Sequence, residues 1–173
     1  MEFHLRRAIG AQILIYEEFS TFHVQIEACL NSRPLVPVSS DPDDLKVTTP
    51  ANFLIGSTLD AIPERNVTDF KISLADCWKL VQQISQSFWK RCSSEYITQF
   101  QRRFKFQRPH YNLRVNDIVL VKDNKLPPLK WKMGRIVETF SGSDNQVRVV
   151  KLKTQLGVVG RPIHKLCVLP VES

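Results

Sequence analysis

The spacing of the apolar residues changes once along this chain, near Asn112, and this change restricts the fold. Between Leu74 and Phe104 apolar residues recur at every third or fourth position, as on one face of an amphipathic helix of roughly eight turns. After Asn112 five short strand-like runs follow within about 54 residues, with turns and no helical pattern between them. We therefore predict an α+β fold in which a long helix precedes a small five-stranded β-barrel.

The predicted strands cover residues 117–122, 131–140, 146–153, 157–162 and 167–170. The third strand has a conflict in its alternation, because Arg148 shares a side with Val150 while Val147 and Val149 share a side with two lysines. A regular strand cannot bury all three valines on one face. The conflict predicts a β-bulge in this strand.

Two shorter helices are predicted before the long one. Apolar residues recur at helical spacing over 16–30, and a second helix is predicted over 50–55, where Thr49 can cap the first free amide and Gly56 ends the helix. The proline- and aspartate-rich segment 34–46 between them predicts a loop.

The long helix has predicted limits and a predicted weak point. Ser73 is its predicted cap, Ser93 and Ser94 are the predicted place for a bend or break, and Arg108 before Pro109 is its latest end. Its outer face becomes basic toward that end, which also suits the negative pole of a helix dipole.

Charge divides the chain into two parts of opposite sign. Residues 1–69 contain five Lys or Arg against ten Asp or Glu, a net charge of −5, whereas residues 70–173 contain 19 against seven, a net charge of +12. A nucleic-acid backbone is the commonest partner for so basic a surface. The charge alone therefore favours nucleic-acid binding, with a merely soluble basic surface as the alternative.

Several other classes of protein do not fit the sequence. The chain has no run of about eighteen apolar residues, and its first ten residues include Glu2, Arg6 and Arg7, so we expect a nuclear or cytoplasmic protein that neither spans a membrane nor is secreted. Its four cysteines lack the spacing of a zinc site and are predicted to be reduced, buried thiols. Acids and histidines are scattered over unrelated segments and no glycine-rich phosphate loop occurs. The residue patterns predict a binding protein with no metal and no cofactor.

Two groups of motifs, taken together, resemble a known family. The first group is FHLRR (3–7), YEEF (16–19), QIEACLNSRPL (25–35) and TPANFLIG (49–56), and the second is FWKR (88–91), EY (95–96), DIVLV (117–121), WKMGRI (131–136), VRVV (147–150) and RPIHKL (161–166). The first resembles the end of the integrase core of Pao/Bel-type LTR retrotransposons, and the second resembles the module of unknown function that follows this core. Together these motifs cover nearly the whole chain, and their order and spacing make the match specific.

The resemblance implies an origin in DNA integration and a division into three parts. Residues 1–65 would be the helical end of a truncated ribonuclease-H-like integrase core, 66–111 a helical connector, and 112–173 a basic Src-homology-3-like β-barrel that holds DNA. In that family the metal-binding carboxylates, two Asp and one Glu, precede the segment that matches residues 3–7. None can be assigned to a residue of this sequence, so we expect no integrase activity. Ile15 stands where the family usually has a helix-capping Thr.

The expected partner is DNA, with RNA as the alternative, bound mainly through its phosphates. The predicted nucleic-acid contacts are Lys122, Lys130, Trp131, Lys132, Arg135, Arg148, Lys151, Lys153, Arg161 and Lys165. Trp131 has two interpretations, stacking on a base or sugar and packing in the core.

A second hypothesis is a protein-interaction module that binds a chromatin tail or a partner helix. It rests on the apolar faces of the two N-terminal helices, which must pack on the long helix, dimerise or stay partly molten. A third, catalytic, interpretation would require carboxylates from other chains.

Overall fold

The computed structural model describes residues 7–10, 12–38, 44–60, 64–69, 76–107, 113–123, 126–143 and 146–169, and only the backbone of residues 101–107. Its helices are α1 (Tyr16–Asn31), α2 (Pro50–Ile55) and α3 (Cys77–Gln107). Its strands are β1 (Val36–Pro37), β2 (Val47–Thr48), β3 (Ile118–Val121), β4 (Met133–Ser141), β5 (Val147–Thr154), β6 (Gly157–Pro162) and β7 (Leu166–Val168), and a 3-10 helix (Ile163–Lys165) joins β6 to β7. The predicted α+β class is confirmed.

The apolar stripe of α1 packs on the long helix α3. Phe22, Ile26 and Cys29 are buried in one cluster with residues of α3 that include Phe88 and Trp89. Helical spacing places these three α1 side chains on one face, and burial of such a face is worth about 1.5–3 kcal/mol for each large apolar side chain. Of the three outcomes expected for this helix, packing on α3 is the one observed.

The long helix does not break at the predicted bend. The Ser93 hydroxyl donates to the carbonyl oxygen of Trp89, one turn earlier, over 2.7 Å, so its polar group is satisfied within the helix. The predicted break at Ser93 and Ser94 is absent, because α3 is continuous over Cys77–Gln107. The predicted cap Ser73 and the predicted end at Arg108 lie outside the described residues.

The short helix α2 has the predicted bounds. Gly56 ends it in the left-handed region at φ +73°. At its start Asn52 Oδ1 accepts hydrogen bonds from both the backbone N–H and the hydroxyl of Thr49, each 2.8 Å long. Thr49 therefore donates where we expected it to accept. The predicted loop 34–46 contains one regular element, since the two-residue strand β1 pairs with β2.

The five longer strands form one antiparallel sheet in the order β6-β5-β4-β3-β7. One face carries an apolar core that includes Val119, Ile136, Val150 and Leu152. The opposite face is covered at β3 and β7, where Ile118, Leu120 and Cys167 pack with Ile97 of α3. The sheet is not closed, so the predicted closed barrel was too specific and β6 lies at an edge.

The predicted bulge in β5 is present. Phe140 pairs with Val149 and Ser141 with Val147, so Arg148 is the extra residue of β5 at that point. The extra residue lets Val147 and Val150 both face the core, which resolves the conflict in alternation. A second register shift makes Val137 the extra residue of β4.

None of the described helices is both long enough and apolar enough to cross a membrane.

Candidate nucleic-acid interface

Trp131 lies in the joint between α3 and the sheet. Its ring makes T-shaped contacts with two aromatic rings. The ring centroids lie 4.9 Å apart for Trp89 and 5.5 Å apart for Tyr96. Its indole N–H donates to Ser32 Oγ over 3.2 Å. The side chain is partly buried, and these contacts favour the interpretation in which Trp131 packs in the interior.

Arg135 also has an interior position, although the sequence suggested a phosphate contact. The residue is only 4% exposed, and its two Nη atoms donate to the backbone carbonyls of Asn116 and Asp44, each over 3.1 Å. The neighbouring strand places the buried Ile118 directly opposite it, which shows that this row of the sheet faces inward. Arg135 therefore links the loop before β2 to the sheet through hydrogen bonds, and it is not part of the interface proposed below.

Three of the predicted lysines have acidic partners. Lys130 pairs with Asp60 at 2.7 Å, Lys132 with Asp123 at 3.3 Å, and Lys151 with Glu138 at 2.7 Å. The Lys151 ammonium also lies 5.2 Å from the centroid of the Phe140 ring.

These ion pairs lie at least partly in solvent, where such pairs contribute about 0–1 kcal/mol, so a phosphate can replace the carboxylate at little cost. The sequence analysis missed all three acids. The partners of Lys132 and Lys151 lie within 13 residues of them in the sequence, so the pairing of neighbouring strands could have indicated these contacts. Asp60 lies 70 residues from Lys130, and no local pattern indicates that pair.

The other five predicted cations are Lys122, Arg148, Lys153, Arg161 and Lys165. Lys122 and Lys165 are adjacent, because the backbone N–H of Lys122 donates to the carbonyl oxygen of Lys165 over 2.8 Å. Lys153 is exposed on β5 opposite Val158 of β6, and Arg148 is exposed at the bulge. Arg161 is half-buried on β6, and its Nη1 donates to the Gly160 carbonyl over 3.3 Å.

The segment that carries most of these cations contains no acid. Residues 146–169 include five Lys or Arg and no Asp or Glu, and over 113–169 there are eleven Lys or Arg against four Asp or Glu, a net charge of +7. The net charge of residues 70–173 as a whole does not reveal that the acids are missing from 146–169. This asymmetry singles out β5, β6 and the 3-10 helix after β6 as the cationic part of this region.

None of the cysteines among the described residues forms a disulfide. Burial raises the pKa of Cys29 and of Cys167 to about 12, so both thiols stay protonated at neutral pH and are poor nucleophiles. Cys77 is exposed, against the prediction of buried thiols, and a hydrogen bond with the Glu18 carboxylate raises its pKa. Over the described ranges no group of three or more His, Cys, Asp or Glu is placed to hold a metal ion.

A family model matches residues 76–169, which run from the residue before α3 to the residue after β7. The chain belongs to this family, DUF5641, whose function is unknown. The match to DUF5641 includes the helix and the sheet together, in accord with the packing of Ile97 on β3 and β7. No curated protein and no solved structure matches the chain.

Proposed function

We propose that this protein binds nucleic acid, independently of sequence, through contacts between the phosphates and the cations of β5, β6, the 3-10 helix and the residue that follows β3. The observation that carries the proposal is the run 146–169, with five cations and no acid. Duplex DNA carries one negative charge per roughly 1.7 Å of its axis, so a surface of this kind gains affinity from the release of counterions.

Lys122 and Lys165 form the centre of the proposed interface. Their backbones are joined by a hydrogen bond of 2.8 Å between the residue that follows β3 and the last residue of the 3-10 helix, so the two lysine side chains start from neighbouring points. A phosphate that contacts both ammonium groups would offset the repulsion between them. Lys153 and Arg161 extend the cationic surface along β5 and β6.

We further propose an origin for this surface. The strand order β6-β5-β4-β3-β7, with a 3-10 helix before the last strand, supports a Src-homology-3-like sheet. The resemblance to Pao/Bel-type retrotransposon integrases supports an origin in DNA integration, with a role in the nucleus or cytoplasm. The role we propose is binding and not catalysis.

The test is the salt dependence of binding, measured by fluorescence anisotropy with duplex and single-stranded oligonucleotides between 50 and 200 mM salt. If four or five phosphates are neutralised, the logarithm of the duplex association constant falls with the logarithm of salt with a slope of about −4, at about 0.9 per phosphate. Lys165→Gln should reduce the magnitude of the slope by about 1.

The matched control is Lys79→Gln, which removes one exposed lysine from the first turn of α3, where it pairs with Asp76. This variant should keep the slope of the original protein. A flat salt response, or an equal loss of slope in the two variants, would contradict the proposal.

A protein-interaction function is the second candidate, and one observation favours it. Phe53, Leu54 and Ile55 of α2 are consecutive and exposed, Phe53 to 77%. Such a cluster fits a partner helix. Self-association or partner capture that Leu54→Glu abolishes, together with a flat salt response to DNA, would favour this function over nucleic-acid binding.

A further inference from the structure

Strand β6 is an edge of the sheet, and its outer backbone groups can be identified from the register. Thr154 and Gly157 close a two-residue hairpin loop, and the closing pair of such a loop is hydrogen-bonded. Pairs then alternate along an antiparallel ladder, so the backbone N–H and C=O groups of Val158 and Gly160 point away from β5.

The remaining contacts of β6 agree with this assignment. The Gly160 carbonyl accepts a hydrogen bond from the Arg161 guanidinium over 3.3 Å, as an outward carbonyl near solvent would. Over the described residues the backbone groups of Val158 and Gly160 make no hydrogen bond to a strand on the outer side. An edge with free donors and acceptors is a template for another strand.

The side chains around this edge have a particular chemistry. Val158 is 62% exposed and Leu156, in the hairpin loop, is 92% exposed. Lys153 lies opposite Val158, Arg161 lies on β6 itself, and the segment 146–169 has no acid. The edge therefore offers apolar contact and positive charge side by side.

We propose that β6 is the docking site for an extended acidic segment of a partner protein, which adds to the sheet as one more strand. Its backbone would bond to the outward groups of Val158 and Gly160. Side chains on the face that carries Val158 and Lys153 would contribute carboxylates to Lys153, and the alternate side chains, on the opposite face with Arg161, would be apolar. A partner N–H would replace the Arg161 guanidinium at the Gly160 carbonyl.

A nucleic acid would use the same cations in a different way. Its backbone has phosphate acceptors and lacks the alternating N–H and C=O groups that an edge strand requires. The main-chain bonds at Val158 and Gly160 therefore distinguish a peptide from a nucleic acid. This proposal does not depend on the proposed function.

The experiment removes one outward donor without removing charge. Gly160→Pro deletes the outward N–H at an edge position, where proline is tolerated, and Gly160→Ala keeps the N–H and places its Cβ in open space. The probe is a fluorescent eight-residue peptide of alternating Glu and Val, with a Lys and Val peptide of the same length as the charge control. Binding is measured by anisotropy with the full chain.

We expect Gly160→Pro to weaken binding of the Glu and Val peptide by about fivefold or more, the effect of one lost hydrogen bond, and Gly160→Ala to change it less than twofold. The same peptide N-methylated at alternate residues should lose binding to the original protein, an arm that stands even if Gly160→Pro does not fold. Duplex DNA affinity should be unchanged in Gly160→Pro, which separates this proposal from the nucleic-acid proposal.

Three results would overturn the proposal. Equal binding of the N-methylated peptide would show that charge alone holds it, and equal binding of the Lys and Val peptide would show that the edge does not select acids. Self-association in sedimentation that Gly160→Pro abolishes would assign the edge to a second copy of the chain.

Discussion

Replacement of Trp131 by Leu separates the two interpretations of this residue. The substitution removes the edge contacts with Trp89 and Tyr96, whose centroids lie 4.9 and 5.5 Å away, and each such contact contributes about 1 kcal/mol. It also removes the indole N–H bond to Ser32 Oγ, worth about 1 kcal/mol. Ser32 Oγ still donates to the Cys29 carbonyl, so no buried hydroxyl is left unpaired.

The expected loss in the free energy of unfolding is therefore about 3 kcal/mol. With an m-value of about 2 kcal/mol per molar urea, the midpoint of unfolding should fall by about 1.5 M. Far-UV circular dichroism is the suitable probe, because the substitution itself changes the tryptophan fluorescence. Trp78→Leu is the matched control, since Trp78 is 58% exposed and its replacement should cost less than about 0.5 kcal/mol.

DNA affinity measured well below the unfolding midpoint completes the test. Stacking on a base would make Trp131→Leu bind more weakly by about 1–3 kcal/mol, a factor of roughly 5 to 150. We expect a dissociation constant within twofold of the original. The reasoning fails if Trp131→Leu and Trp78→Leu unfold at the same urea concentration while only Trp131→Leu loses tenfold or more in affinity.

Three further changes test the packing and the charges. Ile15→Thr should raise the free energy of unfolding by about 1 kcal/mol, because Ile15 is the N-cap of α1 and has no side-chain oxygen; an unchanged urea midpoint would count against this. Arg135→Met should lower it by about 3 kcal/mol, because two backbone carbonyls lose a charged donor, whereas the exposed Arg114→Met should change the urea midpoint little. Because burial raises the pKa of Cys29 and Cys167 from 9.0 to about 12, the unfolded chain loses these protons first, and stability should fall between pH 9 and pH 12, by about 3 kcal/mol at pH 10. Urea titrations at pH 8 and 10 should show this slope in the original protein and a smaller slope after replacement of both cysteines by Val, because the pKa of Cys77 and that of Cys92 are also raised.

Local patterns in the sequence predicted most of the secondary structure. The change of spacing near Asn112 gave the order of the long helix and the five strands, and the conflict around Arg148 predicted the bulge. These features depend on residues only a few positions apart. The predicted break at Ser93 is absent because a hydroxyl in a helix can bond to the carbonyl one turn back.

Local patterns could not predict the interior roles of Trp131 and Arg135, both of which were predicted to contact nucleic acid. Trp131 bonds to a residue 99 positions away, and Arg135 to one 91 positions away. Both have the composition of a nucleic-acid contact, an aromatic ring and a guanidinium. Only the packing of the N-terminal segments on the sheet shows that both side chains already bond to other residues of the protein.

The acidic first part of the chain and the cationic sheet meet at specific contacts, and these influence where a polyanion binds. Asp60 pairs with Lys130 just before β4, whereas residues 146–169 contain no acid at all. A polyanion should therefore approach β5, β6 and the 3-10 helix, where the potential is more positive. Lys130→Gln and Lys165→Gln remove the same charge, yet we expect Lys165→Gln to weaken DNA binding more, because a phosphate must compete with Asp60 at Lys130. Equal losses in anisotropy titrations at low salt would show that Asp60 has no such influence.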